Sequence, residues 1–250
     1  RAYDAARARN GGQPGARPSP EAERIRWYRT LELEPGADLG AAAQKISVAG
    51  YSFAGQSCIS VQRVFVHASV HDAFLDELVP RVEALVVGDP LDDATAVSAL
   101  IDPGETERVA GVITAAAGAG ATLLCGGDRR ADGVLRPTVL DGVTPAMEVA
   151  RTEVFGPVVG VAPYSSIDEA FALANDTRYG LQAGIFTPDL AVAMRAVREL
   201  DFGGVTVNEV PTWRADQMPY GGLRDSGNTK EGPAWAVREM TEERMVAIAW

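Results

Sequence analysis

The sequence is poor in residues on which several classes of protein depend. It has 2 cysteines and 2 histidines in 250 residues, and its formal charge is -11. Two cysteines are too few for a disulfide framework or a Cys-rich zinc site, so we expect Cys58 and Cys125 to be free thiols. A nucleic-acid footprint needs clustered lysine and arginine, which displace counterions from phosphates. The acidic balance therefore predicts no nucleic-acid partner.

Long hydrophobic runs are also missing. No stretch approaches the roughly 18 apolar residues of a membrane span, and the opening RAYDAARARNGG has no apolar signal-peptide core. We therefore expect no membrane contact and a cytoplasmic location. Hydrophobic residues nevertheless make up 46% of the chain, which is enough to bury a core.

The sequence lacks the residue patterns that metal and phosphate sites need. His67 ends a predicted strand and His71 begins a predicted helix, so their spacing does not give them a common face, and we expect no metal site. Gly118 and Gly120 end a predicted helix before a strand, whereas a dinucleotide fingerprint opens a helix after a strand. No P-loop pattern occurs either. We therefore expect no nucleotide-phosphate site within this chain.

The apolar spacing indicates an α/β fold. Strands that alternate with helices of about ten to fifteen residues form largely parallel sheets flanked by helices. The predicted strands are LEL, VQRVFVH, TLLCGG, VVGVAPY, AGIFT and GGVTVNEV. The predicted helices are ADLGAAAQKISVAGYSFAG, SVHDAFLDELVPRVEAL, ETERVAGVITAAAGAG, SIDEAFALAND, DLAVAMRAVREL and EGPAWAVREM.

The two ends of the chain differ from the rest. Residues 1–30 are rich in arginine, proline and glycine, which predicts a solvated arm, and residues 31–250 form the domain. The closing RMVAIAW is apolar and extended, and uncovered it would be an adhesive sheet edge. We expect it to pair with a neighbouring subunit, giving a homo-oligomer, most simply a dimer.

The segment AGQSCISVQRVFVH, residues 54–67, resembles the nucleophile segment of the aldehyde dehydrogenase superfamily, in the branch that acts on lactaldehyde and phosphonoacetaldehyde. Five other segments occur in the order found in that family. They are LEL at 31–33, GDPLDDATAVSALID at 88–102, RTEVFGPVV at 151–159, NDTRYGLQAGIFT at 175–187 and DQMPYGGLRDSG at 216–227. The resemblance covers residues 31–250 and implies the catalytic domain of that superfamily.

The resemblance implies a role for each matching residue. Cys58 matches the thiol that adds to the aldehyde carbonyl, and Glu32 matches the general base for thioester hydrolysis. Glu153 and Phe155 match the pair that holds the nicotinamide riboside. Only the thiolate is nucleophilic, and backbone N–H groups around Cys58 are suited to hold an oxyanion. For Glu32 alone, a solvated charge remains an equal interpretation, and Cys125 is expected only to pack.

The resemblance also implies a substrate-binding loop. PTWRADQM, residues 211–218, matches the loop that lines the aldehyde tunnel, so Trp213 and Arg214 are candidate substrate contacts, together with Phe53 beside the nucleophile. Arg214 suggests an anionic group on the substrate, although a solvated loop charge is an equal interpretation.

Two departures from the family pattern limit what the resemblance implies. Similar members carry an NAD(P)-binding domain before LEL, whereas 30 residues precede Leu31 here, so we expect that domain to be absent. Glu32 and Cys58 lie 26 positions apart, about two helical turns fewer than the resemblance implies. Either the crossover lost residues or the sequence omits a segment.

Three functions remain open. The leading hypothesis is cofactor-independent acyl transfer or hydrolysis of an ester or thioester, with Cys58 as acyl acceptor and no cofactor within the chain. The alternative is NAD(P)-dependent oxidation of a small aldehyde, with the nucleotide domain missing from this sequence or supplied by a partner. The third is a non-catalytic scaffold subunit.

Overall fold

The computed structural model describes residues 29–227 and 229–250. Most of the predicted arm lies outside the described residues. Arg29 and Thr30, which we assigned to the arm, instead begin the first strand, so the domain includes two residues more than predicted.

Seven strands form one sheet in the order β3-β4-β5-β2-β1-β7-β8, and β6 pairs with β9 in a small second sheet. All neighbours in the large sheet are parallel except β3 and β4. The strands are β1 Arg29–Leu33, β2 Arg63–His67, β3 Thr122–Cys125, β4 Thr138–Asp141, β5 Val158–Tyr164, β6 Tyr179–Gly180, β7 Gln182–Phe186, β8 Gly204–Val207 and β9 Leu223–Arg224. The predicted α/β class with a largely parallel sheet is confirmed, and β4 is a strand that the sequence did not indicate.

Helices connect the strands, and most begin at a residue whose side chain caps the first turn. The helices are α1 Leu39–Ala49, α2 His71–Glu83, α3 Pro103–Gly118, α4 Glu148–Arg151, α5 Ile167–Asn175, α6 Leu190–Glu199 and α7 Pro233–Met240. Asp38 accepts a hydrogen bond from the Ala41 N–H at 2.9 Å, and Asp102 and Asp189 cap α3 and α6 in the same way. Such a side chain satisfies an N–H that has no partner inside the helix, which fixes where each helix starts.

Two apolar cores cover the two faces of the sheet. The first core contains buried residues of α1, α2 and α3, and Leu31 and Leu33 face it from β1. The second core contains buried residues of α5 and α6, and Phe65 and Ile185 face it from β2 and β7. Side chains alternate between the faces of a strand, so Glu32, between two leucines of the first core, points toward the second.

The C-terminal segment packs little against the rest of the chain. Helix α7 has no buried residue, and residues 241–250 are exposed and form no strand. Met245, Val246, Ile248 and Trp250 are among the exposed large hydrophobic residues. Pairing of this segment with a second subunit therefore stays a prediction. No helix in the described part of the chain is long and apolar enough to cross a membrane.

Candidate active site

Cys58 lies in a turn between helix α1 and strand β2, at the amino edge of the parallel sheet. The thiol is partly exposed. Three successive residues ahead of it, Phe53, Ala54 and Gly55, have left-handed φ values of 54°, 55° and 70°. Gly55 also touches the next loop, because a Cβ there would lie 2.0 Å from the Gly156 carbonyl oxygen. The turn is therefore strained, and the rest of the fold must hold it in place.

Side-chain hydrogen bonds fix this turn to its surroundings. Gln56 donates to the Phe53 carbonyl at 3.1 Å and accepts from the Ile101 N–H at 2.9 Å. The Ser60 hydroxyl donates to the Gly50 carbonyl at 2.9 Å, which ties the residues after Cys58 to the end of α1. The thiol is thus presented by a braced loop.

Gln62 joins the Cys58 turn to the segment that carries Glu153 and Phe155. Its buried amide donates to the Val149 and Thr152 carbonyls, both at 3.0 Å, and accepts from the Val154 N–H at 2.9 Å. This segment leads into β5, which lies beside β2, so both loops meet at the amino edge of the sheet. The structure therefore brings Glu153 and Phe155 to the Cys58 turn.

The space between these two loops is small. Gly55, Ser57, Glu153 and Phe155 line a cavity of about 10 Å³, which is room for about one water molecule. Small-molecule pockets usually measure about 300–1,000 Å³. This cavity is therefore too small for a dinucleotide, and contact of Glu153 and Phe155 with a nicotinamide riboside stays a prediction.

Tyr220 is a polar neighbour of the thiol that the sequence does not predict. Its hydroxyl lies 3.4 Å from the Cys58 sulfur, and the tyrosine is only 3% exposed. Tyr220 lies in the segment DQMPYGGLRDSG, which resembles the family. The sequence alone does not distinguish a functional tyrosine there from one that only packs. Only the fold, which brings positions 58 and 220 together, identifies the contact.

Arg214, one of the predicted substrate contacts, touches Tyr220. Its guanidinium stacks over the Tyr220 ring, 4.3 Å from the centroid, and pairs with the Glu231 carboxylate at 3.0 Å. Phe53 and Trp213 are 82% and 53% exposed. Both side chains are exposed to solvent, and their contact with a substrate stays a prediction.

Glu32 lies on the opposite face of the sheet from the Cys58 turn. In the register of the sheet it lies beside Phe65 of β2 and Ile185 of β7, on the face of the second core. The Cys58 turn packs the other face through Tyr51 and Ala54, which belong to the first core. Glu32 is also near the carboxyl end of β1, whereas Cys58 precedes the amino end of β2.

The role of Glu32 as the base that activates water beside Cys58 therefore stays a prediction that this placement does not favour, and the alternative of a solvated charge is wrong. The side chain is fully buried, and neither carboxylate oxygen has a hydrogen-bond partner among the described residues. Burial disfavours the charged form and raises the pKa of Glu32 from 4.5 to about 8, although the Arg63 charge opposes this. Burial therefore favours the protonated form of this carboxyl.

Cys125 contrasts with Cys58. It ends strand β3, is buried in the first core, and its pKa is raised to about 11 because burial penalises the thiolate. A thiol held in its protonated form is a poor nucleophile. The structure agrees with the expectation that Cys125 only packs.

Fold and site together define an α/β domain that presents a cysteine at the amino edge of a parallel sheet. The chain belongs to the aldehyde dehydrogenase family, whose sequence profile matches residues 31–246. The resemblance drawn from the six segments is thereby confirmed.

Two curated relatives and one solved structure illustrate the similarity. The 3-sulfolactaldehyde dehydrogenase of Priestia aryabhattai is 48% identical over 213 residues, 85% of this chain and 44% of the relative. The lactaldehyde dehydrogenase of Methanococcus aeolicus is 36% identical over 212 residues, 85% of this chain and 45% of the relative.

The solved structure is the NADP-dependent glyceraldehyde-3-phosphate dehydrogenase of Bacillus halodurans C-125, complexed with NADP. It superposes with a TM-score of 0.84 at 36% identity, over 88% of this chain and 46% of that chain. This chain thus spans about half the length of the proteins that it matches.

Proposed function

We propose that this chain is the thiol-bearing half of an enzyme that oxidises a small polar aldehyde with NAD(P). Family membership and relatives named as dehydrogenases of lactaldehyde and 3-sulfolactaldehyde support this proposal. The observation that carries it is Cys58, a partly exposed thiol in a braced, strained turn beside the segment of Glu153 and Phe155.

Cys58 has one chemical step to perform on the aldehyde. Its sulfur attacks the carbonyl carbon, an S–C bond forms, and the π electrons of the carbonyl move to the oxygen, giving a thiohemiacetal after protonation. The N–H groups of the turn around Cys58 are the donors available to the developing oxyanion. The fixed turn keeps these groups aimed before the substrate arrives.

A nicotinamide, when bound, supplies the acceptor for the hydride that oxidation releases. Glu153 and Phe155 form the edge of this chain suited to contact the nicotinamide riboside. The cavity there holds about one water molecule, so the rest of a dinucleotide must contact residues other than those described. Oxidation therefore depends on protein outside the described residues.

The hypothesis that led the sequence analysis, cofactor-independent acyl transfer or hydrolysis, has less support. Hydrolysis of a thioester on Cys58 needs a base near the sulfur, and Glu32 lies on the other face of the sheet. The relatives are named as dehydrogenases. Both observations favour the oxidative alternative.

The substrate that we propose is a short aldehyde with a polar or anionic substituent. The guanidinium of Arg214 is a cation on the ring of Tyr220, whose hydroxyl contacts the Cys58 sulfur. Glu231 balances part of that charge, so a substrate anion would share Arg214 with this carboxylate.

Acylation by p-nitrophenyl acetate tests the nucleophile. We expect a stoichiometric burst of p-nitrophenol and one acetyl group on Cys58, located by peptide mass spectrometry. Cys125→Ala, which removes the other thiol, should keep the burst, and Cys58→Ala should abolish it. Acetylation that persists in Cys58→Ala, or no burst in the unmodified chain, would overturn the proposal. Continued rapid turnover after the burst would instead favour the hydrolytic hypothesis.

A further inference from the structure

We propose that Tyr220 is a positioning residue whose hydroxyl donates a hydrogen bond to the Cys58 thiolate and favours the ionised sulfur. This inference rests on the proposed role of Cys58 as nucleophile. The carbonyl addition described above gives Tyr220 no role, and this inference assigns one to it.

The protonation state of Cys58 determines which group of this contact donates. At 3.4 Å either the thiol or the phenol can be the donor when both carry a proton. A thiolate has no proton, so the Tyr220 hydroxyl is then the only possible donor of the pair. Hydrogen bonds to ionised acceptors are stronger than those between neutral groups, so this contact favours the thiolate.

Burial strengthens this effect. Tyr220 is 3% exposed, so water competes little for its hydroxyl. A hydrogen bond in such surroundings is stronger than one in bulk water, because the local dielectric constant is lower. The contact can therefore change the reactivity of Cys58 measurably.

The backbone holds Tyr220 firmly in place. Its N–H donates to the Glu231 carbonyl at 3.1 Å, and the Glu231 N–H donates back at 2.6 Å, forming an isolated β-bridge. Directly after it, Gly221 passes so close to another segment that a Cβ would lie 2.0 Å from the Thr229 carbonyl oxygen. The ring thus has little freedom to leave the sulfur.

Arg214 contacts the face of the Tyr220 ring. Its guanidinium lies over the face of Tyr220, 4.3 Å from the centroid, where it is attracted to the π electrons. A cation there draws electron density from the phenol oxygen, which makes the hydroxyl a better donor. Glu231, which bridges Tyr220 through its backbone, also holds Arg214 through its carboxylate at 3.0 Å.

The test is the rate of Cys58 alkylation by iodoacetamide as a function of pH, read by peptide mass spectrometry. Tyr220→Phe keeps the ring and the backbone bridge but removes the donor. We expect its rate profile to move to higher pH, with alkylation about tenfold slower near neutral pH, the effect of a shift of about one pH unit. The two rates should converge at high pH, where both thiols are ionised.

Two further variants separate this role from packing. Tyr164→Phe removes another buried hydroxyl, which donates to the Leu33 carbonyl on the far side of the sheet, and should leave the profile unchanged. Arg214→Gln should move it in the same direction as Tyr220→Phe, by less. A purely structural role of Tyr220 predicts either no change or faster alkylation at every pH, and each result would overturn the inference.

The same experiment distinguishes the two proposals. If Cys58 of the unmodified chain reacts no faster than Cys125, the proposed function fails and this inference fails with it. If Cys58 reacts readily and Tyr220→Phe has the same profile, only the inference about Tyr220 is overturned.

Discussion

Glu32 lies directly beside Phe65 on the neighbouring parallel strand, and both side chains point into the apolar core beneath helices α5 and α6. An ionisable group in such a place is rare, because an isolated charge cannot be buried there cheaply. Burial therefore favours the protonated form of Glu32 over the ionised form.

This placement predicts that the fold loses stability as the pH rises. The pKa of Glu32 is raised from 4.5 to about 8 by burial, so between these values the folded chain holds a proton that the unfolded chain releases. The stabilisation is complete below about pH 4.5 and is lost as the pH rises through about 8. The free energy of unfolding should fall in this window by up to about 1.4 kcal/mol per pH unit.

Urea denaturation at several pH values measures this slope, and Glu32→Gln isolates the contribution of one residue. The variant should be less sensitive to pH than the unmodified chain across the window. Glu239→Gln, on the exposed surface of α7, is the matched control and should keep the original slope. Equal slopes in the unmodified chain and Glu32→Gln would contradict the prediction.

Much of the fold could be predicted from the sequence because helix caps and apolar periodicity are features of short stretches of chain. Asp38, Asp102 and Asp189 each precede an apolar helical pattern and cap the helix that follows. Strand β4, Thr138–Asp141, is not among the strands that the sequence predicts. It forms because β3 and β5 flank it in the sheet.

The site could be predicted only in part from the sequence, because the residues that meet there are distant along the chain. The turn at Cys58 could be recognised because Gly55 and Gln56 belong to the motif that precedes the cysteine. The contact with Tyr220 spans 162 positions, and the letters LEL alone do not show that Glu32 faces the second core. A motif fixes residue types, whereas the face on which a residue lies depends on the register of the neighbouring strands.

The C-terminal segment predicts self-association. Residues 241–250 are exposed, and several large apolar side chains among them have nothing to pack against in the single chain. Ile248→Asp places a charge in that segment and should weaken association, raising the monomer fraction in sedimentation velocity. Leu91→Asp, at another exposed apolar position, should leave the distribution unchanged. Equal sedimentation of all three chains would exclude this segment as the interface.

Gln62 should stabilise the segment of Glu153 and Phe155 through hydrogen bonds alone. Gln62→Met keeps a similar volume and leaves the Val149 and Thr152 carbonyls and the Val154 N–H without this partner. A buried N–H that loses its partner, as that of Val154 does, costs about 1–3 kcal/mol, so we expect a clear loss of stability and faster hydrogen exchange at Val154. Gln44→Met, on the exposed face of α1, is the control and should change neither. Unchanged exchange at Val154 in Gln62→Met would show that packing, not Gln62, holds this segment.

Gly55→Ala tests whether the close approach of two loops sets the reactivity of Cys58. The added methyl meets the Gly156 carbonyl oxygen at 2.0 Å, and the left-handed φ of 70° is itself unfavourable for alanine, so the turn must move or the fold must weaken. We expect a loss of about 2 kcal/mol or more in the free energy of unfolding, together with slower alkylation of Cys58.

Gly111→Ala is the matched control for this substitution, because its new methyl meets no atom within 4 Å in the middle of helix α3. It should stabilise the chain by about 1 kcal/mol, as alanine does in a helix interior. It should also leave the alkylation of Cys58 unchanged, because α3 keeps its shape. If Gly55→Ala matched the unmodified chain in both stability and alkylation rate, the contact with Gly156 would have no part in holding the thiol.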